Sequence, residues 1–421
     1  MLIEFEKDYM NKYWKIQRAQ WCNYFENENY NLSQIDAEIY DTVKLFNKEV
    51  QPIDRKSKIA SLLMQKDLVD KEPLVSEIRN RIDNLDNYSD NISEDIKADR
   101  YQYKLALSYK MKDDVKKLMN TRNALSKQMG FDSYPELVLI TDEIDKDNLV
   151  HSLNGFLESN LPKAIEIIKK YNIKWETWFS DLSRIGVTKN QYNPIELVNQ
   201  LLKTFGFDEI KGKIQISFME KGYAGCASEL SPNDIRIVVE PIKSLNNLRT
   251  LFHEMGHAIL YSLNKEEGIY KILPPSHDEA MAVVIEYIAP MLLILNKTDR
   301  EKIFEIMTLE YTRCAISSLY EFDLWQNPEI AEELYIKHYS KLGIEINNPS
   351  MWASDTFRSI DPVYVHNYVI GAILAEKIFT YLQSENSCNY KEWDAWLSDN
   401  IYKDGRKKSF KEKIKGLGDF I

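Results

Sequence analysis

Residues 250–260 read Thr-Leu-Phe-His-Glu-Met-Gly-His-Ala-Ile-Leu, two histidines four positions apart around a glutamate. On an α-helix, positions i and i+4 share a face, so His253 and His257 can offer two imidazole nitrogens to one metal ion. Glu254 projects beside that ion, where a carboxylate can take a proton from a bound water. Leu248, Leu251, Phe252, Met255, Ile259 and Leu260 are left to pack into a core. In a chain with six histidines, the bare pattern arises by chance on the order of once in a hundred sequences, so a third ligand has to decide. A catalytic zinc takes three protein ligands and keeps a fourth position for water.

Residues 273–290, LPPSHDEAMAVVIEYIAP, offer that ligand at the start of a second helix. Glu279 is the choice, with Asp278 and His277 as alternatives. Pro274 and Pro275 end the preceding segment, and Ser276 is the expected N-cap. Glu286, two turns on, shares the face of Glu279. It either orients His253 or His257 from behind the metal or stands as an ordinary exposed or salt-bridged carboxylate.

With these residues in hand, the sequence resembles the helical gluzincin peptidases, which include thimet oligopeptidase, oligoendopeptidase F and angiotensin-converting enzyme. The likeness rests on TLFHEMGHA, on DEAMAVVIEYIAP with its seven-residue step from Glu279 to Glu286, on GCASELSPNDIRIVV and on PVYVHNYVIGAILAEKI. It is strong over residues 213–380 and faint over 121–139. The resemblance implies a mainly α fold, with two helical lobes around a deep cleft and a small β-sheet next to the zinc-binding helix. It implies one Zn2+ per chain on His253, His257 and Glu279, with Glu254 as general base. Ala227 and Ser228 would lie on an edge strand that pairs with substrate backbone. Tyr368 would be the phenol that stabilises the tetrahedral intermediate, with Tyr364 one turn before it; by spacing alone the two also read as core aromatics. Two departures stand out. Cys226 occupies the place of a histidine near the scissile bond in angiotensin-converting enzyme, and the histidine ten to twelve residues before the catalytic tyrosine is missing. Arg358 is placed to substitute for it. His366 lies between the tyrosines and could assist, although at i+2 it points off their shared face.

The elements that must position these residues read as long helices. Gly (14) and Pro (13) are scarce in 421 residues, and 44% of the chain is apolar, enough for a large core. Amphipathic spacing runs from about 5 to 210, for example over 92–111 and 150–171, with breaks near 51–52, 87–91 and 130–135. Residues 213–241 differ: Ile214, Ile216 and Phe218, then Ile235, Ile237 and Val239, alternate with polar neighbours, which predicts a hairpin or three-stranded sheet. Helices resume at 244–263, 277–295, 299–323, 328–342 and 361–382. The division expected is a helical lobe over 1–210 and a catalytic lobe over 211–421.

A net charge of −11 and no dense Lys/Arg stretch argue against nucleic acid as a partner. No run reaches the ~18 apolar residues of a membrane span, and the first residues lack an apolar signal core. Cys22, Cys226, Cys314 and Cys388 are far apart and are expected to be reduced thiols, which suits a cytoplasmic setting. The expected activity is zinc-dependent hydrolysis of short, unstructured peptides. The alternatives are a dedicated amide hydrolase acting on one peptide natural product or precursor, and a non-catalytic binding relative of the same fold.

Overall fold

The computed structural model describes residues 2–90, 92–220, 224–384 and 390–418. Helices dominate, and the described strands form one small three-stranded sheet, so the mainly α reading holds. Among the described residues no helix is long and apolar enough to cross a membrane. Cys22, Cys226 and Cys314 are free thiols, while Cys388 lies outside the described residues.

Contacts group the chain into two compact units, each built from three stretches. One comprises Met1–Tyr9, Asn31–Trp178 and Thr312–His366; the other comprises Met10–Tyr30, Phe179–Tyr311 and Asn367–Ile421. The units are thus interleaved in sequence, whereas the helical pattern had suggested one boundary near residue 210.

Among the described residues, the regular elements of the first unit are all helices. Its longest element, Arg100–Gln128, begins later than the 92–111 expected from periodicity, because Asp99 accepts from the backbone N–H of Tyr101 and Gln102 and so caps a fresh helix. A short helix, Glu94–Ala98, precedes it. The helix Lys146–Tyr171 contains the 150–171 segment and is capped by Asp145.

The second unit carries the sheet, in the order β1-β3-β2. β1 (Ile214–Phe218) runs parallel to β3 (Asp234–Val239), and β2 (Gly225–Ser231) pairs antiparallel with β3, joined by a tight turn at Pro232-Asn233 where Asn233 takes φ +71°. Asn tolerates that left-handed conformation better than most residues. Ile235, Ile237 and Val239 are fully buried, as their alternation predicts. Leu230 and Val238 meet Trp21 and Phe25, with Met219 and Cys226 alongside.

Three helices then frame the site. The motif helix, Leu245–Leu263, starts at Ser244, whose hydroxyl accepts from the Asn247 N–H. Its six predicted core residues have no exposed surface. The carboxylate helix, Pro275–Leu292, is not capped by Ser276 as expected: Pro274 is the N-cap and Pro275 the first helical residue, where a missing N–H costs nothing. The tyrosine helix, His366–Ser384, begins five residues later than the pattern suggested, after a turn in which Val363 takes φ +59°. That backbone is unfavourable for a β-branched residue. The Val363 N–H is held by the buried Glu321 carboxylate at 2.8 Å.

Two glycines set how tightly these helices close. A Cβ at Gly256 would lie 2.5 Å from the Cα of Ala282 and 2.9 Å from the Met281 carbonyl oxygen, so the motif and carboxylate helices touch backbone to backbone. A Cβ at Gly371 would lie 2.8 Å from the Val283 Cβ, which seats the tyrosine helix on the same carboxylate helix. Overpacking of this kind typically costs about 1–3 kcal/mol. Gly256→Ala is therefore expected to destabilise the protein by about that much, and to weaken metal binding by separating the two ligand-bearing helices. Chemical denaturation and chelator competition measure the two effects, and unchanged metal affinity in a folded Gly256→Ala protein would refute this account of the helix contact.

Candidate metal centre

The motif helix carries Arg249, His253, His257 and Tyr261 at four-residue intervals, a polar column along one side of the element. Four residues is slightly more than one turn, so the column faces one neighbour along most of its length. That neighbour is the carboxylate helix, which supplies Asp278, Glu279 and Glu286.

His253 Nε2 lies 3.2 Å from Glu279 Oε2, and His257 Nε2 lies 3.7 Å from the same oxygen. The three side chains form a group able to hold a metal ion, with one donor atom from each within 4.8 Å of the others. The other nitrogen of each ring is already engaged. His253 Nδ1 meets Glu286 Oε2 at 2.9 Å, and His257 Nδ1 meets Asp278 Oδ1 at 2.7 Å. A carboxylate on Nδ1 favours the tautomer that leaves the Nε2 lone pair pointing at Glu279. Asp278, an alternative ligand in the sequence reading, thus sits behind His257 instead. His277, the other alternative, is buried with its ring stacked on Phe410 at 4.7 Å.

Each supporting carboxylate is itself held. Glu286 is fully buried and receives Arg249 Nη1 at 2.6 Å on one oxygen and the Tyr311 hydroxyl at 2.7 Å on the other. Burial alone would raise its pKa, but the Arg249 guanidinium and His253 outweigh it and hold the carboxyl down at about 2. Asp278 receives the Tyr261 hydroxyl at 2.7 Å, and that phenol stacks beside His257. Burial opposes charge on the imidazoles, yet Glu279 and Glu286 raise His253 well above the ordinary histidine range, and Asp278 and Glu279 raise His257 to about 9. Glu254, Asp278, Glu279 and Glu286 place four carboxylates around the two rings, and Arg249 answers one of them. Such a cage favours a cation.

Glu254 is 6% exposed, and its carboxylate makes no hydrogen bond or ion pair among the described residues. Burial raises its pKa, the histidines pull it down, and Glu279 and Asp278 push it up, with a net rise. The Tyr368 ring lies 5.9 Å from that of His253, centroid to centroid. On β2, Ala227 pairs with Ile237 and Ser228 with Arg236, and among the described residues no strand pairs with the other edge of β2. The Cys226 thiol is pushed up to about 12 by burial and by the Glu254 and Glu279 charges, so it is a neutral neighbour.

Tyr364, His366 and Arg358 belong to the first unit and have partners there. Arg358 is buried, donating to Glu321 at 2.8 Å and to the Ser317 hydroxyl. His366 is buried beside Phe322 and held neutral by burial, at about 3. Tyr364 stacks on Phe357. The group around His253, His257 and Glu279 is assembled from second-unit residues.

The mainly helical fold, with three helices framing a paired-histidine, carboxylate-backed site, is shared by solved structures. The chain matches an M32 carboxypeptidase from Deinococcus radiodurans R1 with a TM-score of 0.70, at 12% identity over 100% of this chain and 95% of that one. It matches a Pyrococcus furiosus carboxypeptidase with a TM-score of 0.68, at 15% identity over 100% and 96%. PZ peptidase A, solved with an inhibitor, matches at 0.68 and 12% identity over 91% and 81%. No family model matches the sequence, and no curated protein matches it. The likeness inferred from TLFHEMGHA and the carboxylate helix therefore holds for the fold.

Sequence reasoning missed Arg249, Tyr261 and Tyr311 as supports, although the period-four column on the motif helix carries the first two in plain view. Arg249→Met should weaken metal binding about 10- to 100-fold, the usual size for loss of a group behind a ligand, and more than Tyr311→Phe. Chelator competition followed by metal analysis reads both, and wild-type affinity in Arg249→Met would refute this role for the guanidinium.

Proposed function

We propose that the protein is a zinc metallopeptidase that hydrolyses peptide bonds of short, unstructured peptides. The observation that carries the reading is the contrast between the carboxylates. Asp278, Glu279 and Glu286 are all tied into the histidine pair, while Glu254 is buried next to them with no hydrogen-bonding partner among the described residues. Burying an unpaired carboxylate is costly. Glu254 has no packing duty that an apolar side chain would not perform better, and a proton-transfer duty accounts for it.

The donor set fits zinc. Tetrahedral sites with bonds of 2.0–2.1 Å place neighbouring donors roughly 3.3 Å apart, close to the 3.2 and 3.7 Å between Glu279 Oε2 and the two Nε2 atoms. His253, His257 and Glu279 would hold one ion and leave a position for water. Zinc there would supply a Lewis acid that brings the pKa of a water towards 7 and polarises a carbonyl.

This chain's residues do the rest. Glu254, with its pKa raised by burial, is suited to take the proton of the attacking water and to pass it to the leaving amine. Tyr368, beside His253, is the donor for the developing oxyanion. The open edge of β2 at Ala227 and Ser228 would pair with an extended substrate backbone. His257, Glu254 and Glu279 are all under 10% exposed, so a substrate has to reach a recessed site as an extended segment. A folded protein would first pay an unfolding cost of about 5–15 kcal/mol, which favours unstructured peptides.

Chelation should abolish activity and added zinc should restore it. Glu254→Gln should keep its zinc and lose turnover; a kcat within tenfold of wild type would place the base elsewhere. Tyr368→Phe should lower kcat about 100- to 1000-fold with little change in KM, and an unchanged kcat would return that tyrosine to packing. The substrate class is checked by comparing quenched peptides of different lengths with native and denatured globular proteins. Efficient digestion of a native globular protein would refute the reading.

A further inference from the structure

We infer that Gly225 is a positioning residue for Glu254: the absence of a side chain at the start of β2 sets where the buried carboxylate sits. This rests on the reading of Glu254 as the general base. Glu254 has no hydrogen-bonding partner among the described residues, so contact must fix its arm. The backbone of β2 provides that contact. A Cβ on Gly225 would come 2.8 Å from Glu254 Oε1, 2.9 Å from Glu254 Cγ and 2.7 Å from Thr250 Cγ2. All three distances are below any real Cβ contact, so the strand already abuts the carboxylate arm.

Neither wall can step back easily. Thr250 lies one turn before Glu254 on the motif helix, and its hydroxyl donates to the Asn246 carbonyl at 3.1 Å, which fixes its rotamer and turns the methyl to the strand. Gly225 pairs with Val239 of β3, and the neighbouring Glu240 N–H donates to the Ala224 carbonyl at 3.2 Å, which ties down this end of β2. Glu254 is confined between this backbone and the His253–His257 pair. Gly225 does not adopt a positive φ, so the requirement for glycine is one of space. The three atoms nearest such a methyl group belong to Thr250 and Glu254, so its first effect would fall on the carboxylate arm and not on His253, His257 or Glu279.

The test uses the full-length, zinc-loaded protein and a fluorogenic peptide. Gly225→Ala is expected to lower kcat at least tenfold while KM and zinc content stay within twofold of wild type. Glu254→Asp, which shortens the arm, should cost markedly less in the Gly225→Ala background than in wild type, an interaction that a general loss of stability would not produce. Should Gly225→Ala fail to fold, Gly225→Ala with Thr250→Ser removes the methyl collision and leaves the one with Glu254, so the same kcat loss is expected. A kcat within threefold of wild type, or a loss that tracks zinc content, overturns the inference. Glu254→Gln separates the two ideas: if it loses turnover while Gly225→Ala does not, the base stands and the role of Gly225 falls.

Discussion

Everything at this site depends on how closely two helices approach. Glu279 reaches both histidine Nε2 atoms only because Gly256 lets the motif helix rest on the backbone of the carboxylate helix at Met281 and Ala282. Interhelical distances are usually 8–10 Å and grow with the side chains at the contact; a glycine facing an alanine is near the lower limit. The carboxylate helix receives the tyrosine helix in the same manner at Gly371. A single element, carrying Asp278, Glu279 and Glu286, is thus held from two sides, backbone to backbone at Gly256 and chiefly against the Val283 side chain at Gly371. Rigid placement of ligands is what a metal site requires, since errors of half an ångström in donor position are felt in affinity.

The tight contact brings like charges together, and the supporting network resolves the conflict. Glu286 is paired with the Arg249 guanidinium and accepts from the Tyr311 hydroxyl as well as meeting His253, and Asp278 is shared between Tyr261 and His257. Each histidine is therefore oriented by a carboxylate that has its own donor. Glu279 and Glu254 remain, one aimed at the convergence of the two rings and the other beside it. Removing charges from water is costly unless they are answered nearby. The arrangement makes sense as half of a site whose other half is a cation.

The sheet alternation, the motif helix and the core residues Leu248 to Leu260 were legible because periods of two and 3.6 survive in local sequence. The pairing of His253, His257 and Glu279 was legible because the motif encodes its own geometry. Less was readable where packing overrides local signals. Asp278 and Glu279 are adjacent, and which one meets the two histidine Nε2 atoms depends on how the two helices pack at Gly256 rather than on either acid. Arg358 looked like a site residue from its distance to Tyr368, but its charge is absorbed by Glu321. The pattern starts the tyrosine helix too early because nothing in a run of Pro-Val-Tyr-Val announces a β-branched residue at positive φ; the buried Glu321, 42 residues away, holds it there. The unit boundaries left no trace at all, since helices of similar composition lie on both sides of each crossing.

The interleaving of the units also dictates an order of events during synthesis. At roughly 5–20 residues per second, the segment 10–30 leaves the ribosome long before Phe179, where its own unit resumes. Trp21 and Phe25, which cover one face of the sheet, must wait in solvent until β2 and β3 exist. The first unit is closed only by Thr312–His366, after the helices that carry His253, His257 and Glu279 have already emerged, and the second only by Asn367–Ile421. Neither core can be completed domain by domain as the chain grows. Each core is thereby deferred until its last stretch has emerged, and a single cut after residue 178 or 311 leaves neither piece with a complete unit.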